Sequence, residues 1–262
     1  MSRIKEPKTN WKNVKMKEEL GCIALPSVPG RREPSDKSEM VTQLLFGEVY
    51  QVLEEQKKWI LIRNEADHYE CWIDRKQHNS ISEKIVFKET VRSAFAPIAG
   101  GDQMWFLPAG SKVNSGDFSI GTRKFSFDGS QDQSKNDPIR YAGQFLGAPY
   151  LWGGKSIFGI DCSGLVQVVF TCCDIQLPRD AYQQAEIGET VDFVETAQAG
   201  DLAYFDNEDG RITHVGIMLD GEHIIHASGS VRIDRIDHEG IYNTETESYS
   251  HRLRIVKRVL AE

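Results

Sequence analysis

Short β-rich segments separated by turn residues fill the first half of the chain, and this spacing most restricts how the chain can fold. A first set lies at residues 22–25, 41–46, 48–53, 59–63 and 69–73, and a weaker set at 85–91, 104–107, 112–114 and 118–120. Gly47, residues 64–67 and the cluster of Pro26, Pro29 and Gly30 interrupt the first set. Short segments rich in β-branched and aromatic residues at this spacing predict small β-barrels rather than a helical domain.

The pattern changes at the polar stretch 130–138, which ends in Pro138. We expect Asp137 or Asn136 to cap a helix there, with Pro138 at its first position and the helix covering residues 139–146. Further on, the pattern predicts an apolar helix and then three strands, at residues 165–170, 200–205, 212–219 and 223–227. The second half therefore predicts an α+β layout, with one or two helices packed on an antiparallel sheet.

Charge and hydropathy exclude several classes of partner. The chain has 31 Lys and Arg against 39 Asp and Glu, a net charge of −8, which argues against a dedicated binder of nucleic acid or anionic membrane. The longest strongly apolar run, residues 59–62, is too short for a transmembrane helix. The N-terminal segment is charged and lacks the apolar core of a secretory signal, so we expect a cytoplasmic protein.

Five cysteines are an odd and sparse set for 262 residues, and none of them forms a CxxC pair. A disulfide framework and a structural zinc site are therefore both disfavoured. We expect Cys22, Cys71, Cys172 and Cys173 to be small buried hydrophobic side chains.

Cys162 differs from the other cysteines because it falls at the first turn of the predicted apolar helix. A helix N-terminus offers unpaired N–H groups and a partial positive charge, which should lower the pKa of the thiol and favour the nucleophilic thiolate. The same N–H groups could hold the oxyanion that forms when the sulfur attacks a carbonyl. Taken alone, this context also fits a buried structural cysteine.

Two histidines could supply the base for such a nucleophile. His214 and His226 lie on strands that meet around Asp220-Gly221, a strong hairpin signal. A two-residue loop would send the two rings to opposite faces of the sheet. A three-residue loop with Gly221 in the left-handed conformation would pair residue 218 with 222 and set His214 directly opposite His226. A relay in which Cys162 attacks, His214 moves the proton and His226 orients His214 requires that second register.

Five motifs in the second half resemble, in order and spacing, those of the NlpC/P60 cysteine peptidases. They are YLWGG at 150–154, GIDCSGLVQ at 159–167, LPRDAYQQ at 177–184, GDL at 200–202 and HVGI at 214–217. The resemblance implies a papain-like catalytic domain over residues 136–262, with Cys162, His214 and His226 as catalytic residues. It also implies cleavage of peptidoglycan peptides after γ-linked D-glutamate.

The first half resembles the bacterial SH3-type modules that precede this peptidase in γ-D-glutamyl-L-diamino acid endopeptidases, the dipeptidyl-peptidase VI-like group. The matching segments are RREPS at 31–35, EMVTQ at 39–43 with Gly47-Glu48, and YECWI at 69–73, where Cys71 replaces the usual glycine. The resemblance implies a module at 1–79 and a weaker second one at 80–132. The first module of that group closes over the active site and recognises the free amine of an N-terminal L-alanine. We assign Glu33 and Tyr69 to that ammonium group, with an exposed loop charge as the alternative for Glu33.

The catalytic-domain motifs supply further candidate substrate contacts. Asp161 and Ser163 flank the nucleophile and could hydrogen-bond the substrate. Tyr150 could donate to the oxyanion, and Trp152 could form a wall. Arg179, followed by Asp180, is a natural bidentate partner for the α-carboxylate of D-glutamate, although an internal salt bridge is the alternative.

The resulting expectation is an α+β cysteine endopeptidase of cell-wall recycling, with N-terminal SH3-like β-barrels before the catalytic domain. It would release L-Ala-γ-D-Glu from murein peptides with a free N-terminal L-Ala. No metal and no organic cofactor is expected, nor a nucleic-acid or membrane partner, and the chain is expected to be monomeric. The alternatives are a general amidase or acyltransferase with the same Cys–His core, and a non-catalytic wall-binding protein.

Overall fold

The computed structural model describes residues 19–129 and 137–260. The residues before 19 in the predicted first module and most of the polar boundary stretch, 130–136, lie outside the described residues. The division at 79 and 132 therefore stays a prediction. Within the described ranges, no helix is long and apolar enough to span a bilayer.

Seven antiparallel strands form the first sheet, in the order β3-β2-β6-β5-β4-β1-β7. They are β1 Leu20–Cys22, β2 Ser27–Arg31, β3 Met40–Leu45, β4 Val49–Glu55, β5 Trp59–Asn64, β6 Glu70–Asp74 and β7 Ser80–Ile81. Strand β2 was not expected, because Pro29 and Gly30 were interpreted as turn residues. Pro29 is tolerated since it pairs with Gln43 of β3, whereas the backbone pairing of β2 with β6 is at Arg31. Gly30 is required because a Cβ there would lie 2.5 Å from the Cys71 sulfur.

Six further strands follow, as a four-stranded sheet β10-β9-β13-β12 and a pair β11-β8. They are β8 Glu89–Thr90, β9 Phe95–Gly100, β10 Gln103–Pro108, β11 Lys112–Val113, β12 Gly116–Ile120 and β13 Arg123–Phe127. The predictions missed β9 and β13 and made β8 too long. Cys22 of the first sheet and Phe46, directly after β3, share one apolar core with this set, so the two sets pack directly together.

The second half begins at helix α1, Pro138–Gly143, where the Asp137 carboxylate accepts the N–H of Arg140 at 2.9 Å, as the capping prediction required. Its other elements are β14 Lys155–Ser156, β15 Gly159–Ile160, α2 Cys162–Cys172, α3 Ala181–Gln184, β16 Glu189–Val191, β17 Leu202–Asp206, β18 Ile212–Met218, β19 His223–Ser228, β20 Ser230–Ile236, β21 Gly240–Asn243 and β22 Ser248–Arg258. The expected fold class, an SH3-like β module followed by an α+β domain, is confirmed.

The large sheet of this half closes on itself. Its order is β16-β22-β17-β18-β19-β20-β21, and β22 also pairs with β21, so the strands from β17 to β22 form a ring. One face packs against α2 through residues such as Leu165, Val169 and Val215. Each of the six ring strands contributes a residue to a second core, which closure places inside the barrel. The two faces of the sheet therefore pack into separate cores. His214 and His226 lie on the inner face.

Candidate active site

Helix α2 starts where the sequence predicts, and its first residue is Cys162. The Asp161 side chain caps the helix by accepting the N–H of Gly164 at 2.7 Å. A Cβ on Gly164 would lie 2.3 Å from the Gly154 carbonyl oxygen, so only glycine lets the helix begin against this loop. The Cys162 side chain is almost fully buried, and the backbone N–H groups of Ser163 and Val215 donate to its sulfur.

The protonation state of Cys162 differs from the prediction. Burial, followed by the Asp161 carboxylate, raises the pKa of the thiol to about 11, against the N–H donors and the nearby Arg179. The expected lowering by the helix N-terminus is therefore wrong, because desolvation of the thiolate outweighs it. The pKa of His214 lies well below its usual value, since the ring is buried beside His251 and His226. At neutral pH the Cys162 side chain is therefore a neutral thiol and the His214 side chain a neutral imidazole.

The two predicted histidines meet, but through a register that was not anticipated. Gly216, not His214, pairs with His226, and the backbone N–H of Leu219 donates to the His223 carbonyl. The three-residue loop is shifted by one position because the Asp220 carboxylate accepts the N–H groups of Glu222 and His223. The shift preserves the face of each side chain, so the rings become diagonal neighbours, with His214 Nε2 2.8 Å from His226 Nδ1.

Gly221 does not adopt the left-handed conformation that the prediction gave it. A Cβ at this position would lie 2.7 Å from the Glu195 carbonyl oxygen, so glycine is required for a close backbone approach. The conclusion that the two histidines share a face agrees with the structure, but the turn chemistry behind it was wrong.

Beyond His226 the hydrogen-bonded chain continues to a residue that the sequence predictions missed. His226 Nε2 lies 2.9 Å from Asp234 Oδ2, and Arg232 Nη2 donates to Asp234 Oδ1 at 2.9 Å. Burial opposes ionisation of Asp234, but the hydrogen bonds from His226 and Arg232 outweigh it and lower its pKa. Along β20, the buried Asp234 and Ile236 alternate with the exposed Arg235. This alternation predicts that Asp234 faces the inside of the barrel, but it does not identify the partner of its carboxylate.

A third histidine, His251 of β22, was also missed. Its ring stacks on His214 with centroids 4.0 Å apart and planes 24° from parallel. Burial, then His226, lowers the pKa of His251 to about 4, so this ring is neutral at neutral pH. One nitrogen from each of His214, His226 and His251 lies within 4.8 Å of the others, which makes this the described cluster most suited to a metal. The His214–His226 pair is nevertheless at hydrogen-bond distance, and the absence of a metal stays a prediction.

A cavity of about 540 Å³ opens onto Cys162, between the two halves of the chain. Of the predicted substrate contacts, six line it: Tyr69, Trp152, Asp161, Ser163, Arg179 and Asp180. The SH3-like half contributes Arg32, Glu39, Val41 and Tyr69, and the catalytic half the remainder. Both halves therefore build the site.

The structure does not bring Glu33 to this cavity, so its assignment is corrected. Glu33 lies on an exposed turn, where its backbone N–H donates to Ser38 Oγ. Glu39, six residues later and directly before β3, takes the place in the cavity wall. Its carboxylate accepts from Trp152 Nε1 at 2.7 Å and from Arg32 Nε at 2.6 Å.

Arg179 forms the internal ion pair that was the alternative for it. The residue is 1% exposed, and its three nitrogens donate to Asp161 Oδ2 at 2.5 Å, Ser163 Oγ at 2.8 Å and Thr42 Oγ1 at 3.1 Å. Three of the five guanidinium N–H donors therefore already bond protein oxygens, which favours the internal ion pair over a bidentate bond to a substrate carboxylate. Arg179 instead joins the nucleophile loop to strand β3 of the SH3-like half.

The remaining predicted contacts surround the nucleophile. Burial, followed by Cys162 and Asp161, raises the pKa of Tyr150 to about 12, and Tyr150 does not line the cavity. Burial and the nearby Asp180 raise the pKa of Tyr69 to about 12. Burial also raises the pKa of Asp180, and no described side chain hydrogen-bonds its carboxylate. Asp180 and Tyr69 therefore present a free carboxylate and a neutral phenol to the cavity.

Comparisons with known proteins match this architecture. Residues 147–250 match the NlpC/P60 family, and residues 30–77 match the bacterial dipeptidyl-peptidase Sh3 domain. A Bacillus subtilis γ-D-glutamyl-L-lysine dipeptidyl-peptidase is 32% identical over 213 residues, 71% of each chain. A Bacillus cereus protein of the same name is 26% identical over 76% of this chain and 70% of its own.

A solved structure agrees in fold. An NlpC/P60 family protein from Bacillus cereus superposes with a TM-score of 0.70 at 19% identity, over 92% of this chain and all of that one. Sequence similarity over more than two thirds of a relative thus accompanies a buried cysteine at the start of a helix and a hydrogen-bonded pair of buried histidines. The chain belongs to the NlpC/P60 family of peptidases, with a bacterial SH3-type module before the catalytic domain.

Proposed function

We propose that this chain is a cysteine endopeptidase that hydrolyses the γ-D-Glu–diamino acid bond of murein peptides with a free N-terminal L-Ala, releasing L-Ala-γ-D-Glu. The observation that carries the proposal is the wall that Arg32, Glu39 and Tyr69 of the SH3-like half form around the cavity of Cys162. Such a wall bounds the cavity on the side of the SH3-like half, which favours a short acyl group over a long chain. The names of the Bacillus relatives support the same bond and product length.

The cavity chemistry suits an amino terminus. Asp180 offers a half-buried carboxylate with no hydrogen bond from a described side chain, beside the phenol of Tyr69. A substrate ammonium can pair with this carboxylate and donate to the phenolic oxygen, and both bonds strengthen away from water. The carboxylate of Glu39 already accepts from Arg32 and Trp152, so it contributes negative potential and shape.

The reaction follows from the Cys162–His214 pair. Because His214 Nε2 faces His226, its Nδ1 is the nitrogen left to take the thiol proton. As the proton moves, Cys162 Sγ bonds to the γ-carbonyl carbon, and the oxyanion is held at the α2 N-terminus with Tyr150 as a further donor. His214 then protonates the leaving amine, the C–N bond breaks, and a thioester remains. Water attacks the thioester, gives a proton to His214, and the released thiolate recovers it.

The test uses synthetic L-Ala-γ-D-Glu-L-Lys and its meso-diaminopimelate counterpart, with products identified by mass spectrometry. We expect the intact chain to release L-Ala-γ-D-Glu and the Cys162→Ala variant to release none while keeping its fold. Acetylation of the substrate amine should reduce kcat/KM by about 10²-fold or more, because a buried carboxylate loses its cation. Equal cleavage of the acetylated peptide would favour a general amidase, and binding to intact sacculi without turnover would favour a wall-binding protein.

The cavity wall from the SH3-like half also supports a role in recycling released fragments. A stem peptide still joined to glycan through its L-Ala has no ammonium group for Asp180. We place this activity in the cytoplasm and expect a monomer, as part of the same proposal. Cell fractionation and size-exclusion chromatography with light scattering test those two points, and equal rates on sacculi and on free tripeptide would contradict the recycling role.

A further inference from the structure

We propose that Asp234, held by Arg232, is a positioning residue that fixes which nitrogen of each imidazole carries the proton, so that His214 presents a bare Nδ1 to Cys162. The inference rests on the proposed cysteine-peptidase chemistry. It concerns two residues outside the Cys–His–His set.

The Asp234 carboxylate sets the direction in which hydrogen bonds are donated along His214, His226 and Asp234. An ionised carboxylate only accepts hydrogen bonds, so His226 must carry its proton on Nε2 to bond Asp234 Oδ2 at 2.9 Å. In the imidazole tautomer that carries its one proton on Nε2, the Nδ1 of His226 is bare and accepts from His214 Nε2 at 2.8 Å. With its proton on Nε2, His214 has a bare Nδ1. The Asp234 carboxylate thus determines the tautomer of His226 and, through His226, that of His214.

Burial makes this arrangement exclusive. The His226 and Asp234 side chains are 1% and 4% exposed, so solvent is not positioned to replace either partner. The groups facing the relay from neighbouring strands are Arg232 of β20, which also reaches Glu245, and the neutral His251 of β22, hydrogen-bonded to Ser250. Among the described residues, the hydrogen bond that His226 Nε2 makes is the one to Asp234.

Transfer of a proton from a neutral thiol to His214 requires this direction of hydrogen-bond donation. Because the pKa of Cys162 is raised, the sulfur carries its proton until attack, and the proton must then move to an unprotonated nitrogen. If His214 held its proton on Nδ1, both facing groups would be donors and transfer could not occur. Asp234 and His226 keep their own protonation states throughout, so their part is orientation.

Arg232 sharpens the test, because it makes the outcome of Asp234→Asn predictable. Its guanidinium has only donors. Nη2 donates to Oδ1, whereas Nε lies 2.8 Å from Oδ2 without a hydrogen bond, so an Asn keeps the existing bond by placing its oxygen at the Oδ1 position, with its amide NH₂ facing His226. His226 must then accept on Nε2 and protonate Nδ1, which reverses both tautomers. We expect kcat to fall about 10³-fold with KM little changed, within the range known for wrong-tautomer variants of Ser–His–Asp enzymes.

Removing Arg232 should partly undo that loss. In Asp234→Asn with Arg232→Met the amide is free to turn its oxygen to His226, so we expect kcat at least about 10-fold above that of Asp234→Asn alone. A residue with only a structural role would make the double variant worse. The matched control is Asp209→Asn, which makes the same substitution at an exposed carboxylate in the turn between β17 and β18 and should leave kcat unchanged.

Two measurements work without any peptide substrate, so they separate this inference from the proposed function. Nitrogen-15 NMR of histidine-labelled protein should show His214 and His226 protonated on Nε2 in the wild type. The rate of Cys162 alkylation by iodoacetamide should fall in Asp234→Asn and recover in the double variant. A wild-type His226 protonated on Nδ1, or no alkylation change in a folded Asp234→Asn variant, overturns the proposal even if murein peptides are not substrates.

Discussion

The buried Arg179–Asp161 ion pair should contribute far more to stability than an exposed pair of the same chemistry. Its side chains are 2% and 7% exposed, and the Arg179 Nη2 to Asp161 Oδ2 distance is 2.5 Å. Unit charges about 4 Å apart attract by about 4 kcal/mol at an effective dielectric constant of about 20. Removing one partner also leaves the other buried and uncompensated, which costs about 3–5 kcal/mol. We expect Arg179→Met and Asp161→Asn each to lower the free energy of unfolding by that amount.

A double-mutant cycle measures this interaction. Asn at 161 keeps an oxygen for the α2 cap, so loss of the cap does not confound the cycle. Urea unfolding followed by tryptophan fluorescence should give a coupling energy of about 2–3 kcal/mol between the two substitutions. The control is Arg63–Glu70, a pair at 2.6 Å whose side chains are 44% and 47% exposed, where we expect at most about 1 kcal/mol. Equal coupling in both cycles would refute the role assigned to burial.

Three further results are expected. Gly216→Ala places a Cβ 2.9 Å from the His226 Cβ, so kcat on the murein tripeptide should fall about 10-fold or more in a folded protein, and an unchanged kcat would contradict the site geometry. Asp137→Ala removes the α1 cap and should cost about 1 kcal/mol in urea unfolding, whereas no cost would show that the cap is dispensable. His251 titrates near 6.5 when unfolded and near 4 when folded, so the unfolded chain binds the proton first and stability falls from pH 6.5 to 4. His251→Phe should flatten that slope in thermal melts, and an unaltered slope would contradict the assignment.

The local features of the site were predictable because short-range chemistry sets them. Asp137 and Pro138 fixed the start of α1, and the Asp161-Cys162 step fixed the start of α2. The register between β18 and β19 was beyond reach, since it depends on the Asp220 carboxylate bonding two loop N–H groups.

Asp234 and His251 were missed for a related reason. Each reaches the relay only through strand pairing, Asp234 from β20 and His251 from β22, and no local spacing links them to His214. The prediction of a lowered pKa for Cys162 failed for a different reason. The helix N-terminus can be recognised in the sequence, whereas the extent of burial is a property of the packed fold.

Closure of the barrel by β22 has a consequence for the order in which the protein is made. A nascent chain that has emerged only to residue 247 already contains Cys162, His214 and His226, yet it lacks the strand that pairs with β16, β17 and β21. His251 and the ring that encloses the relay arrive with residues 248–258. Assembly of the thiol site is therefore a late event in biosynthesis, after the SH3-like half that walls the cavity has been synthesised.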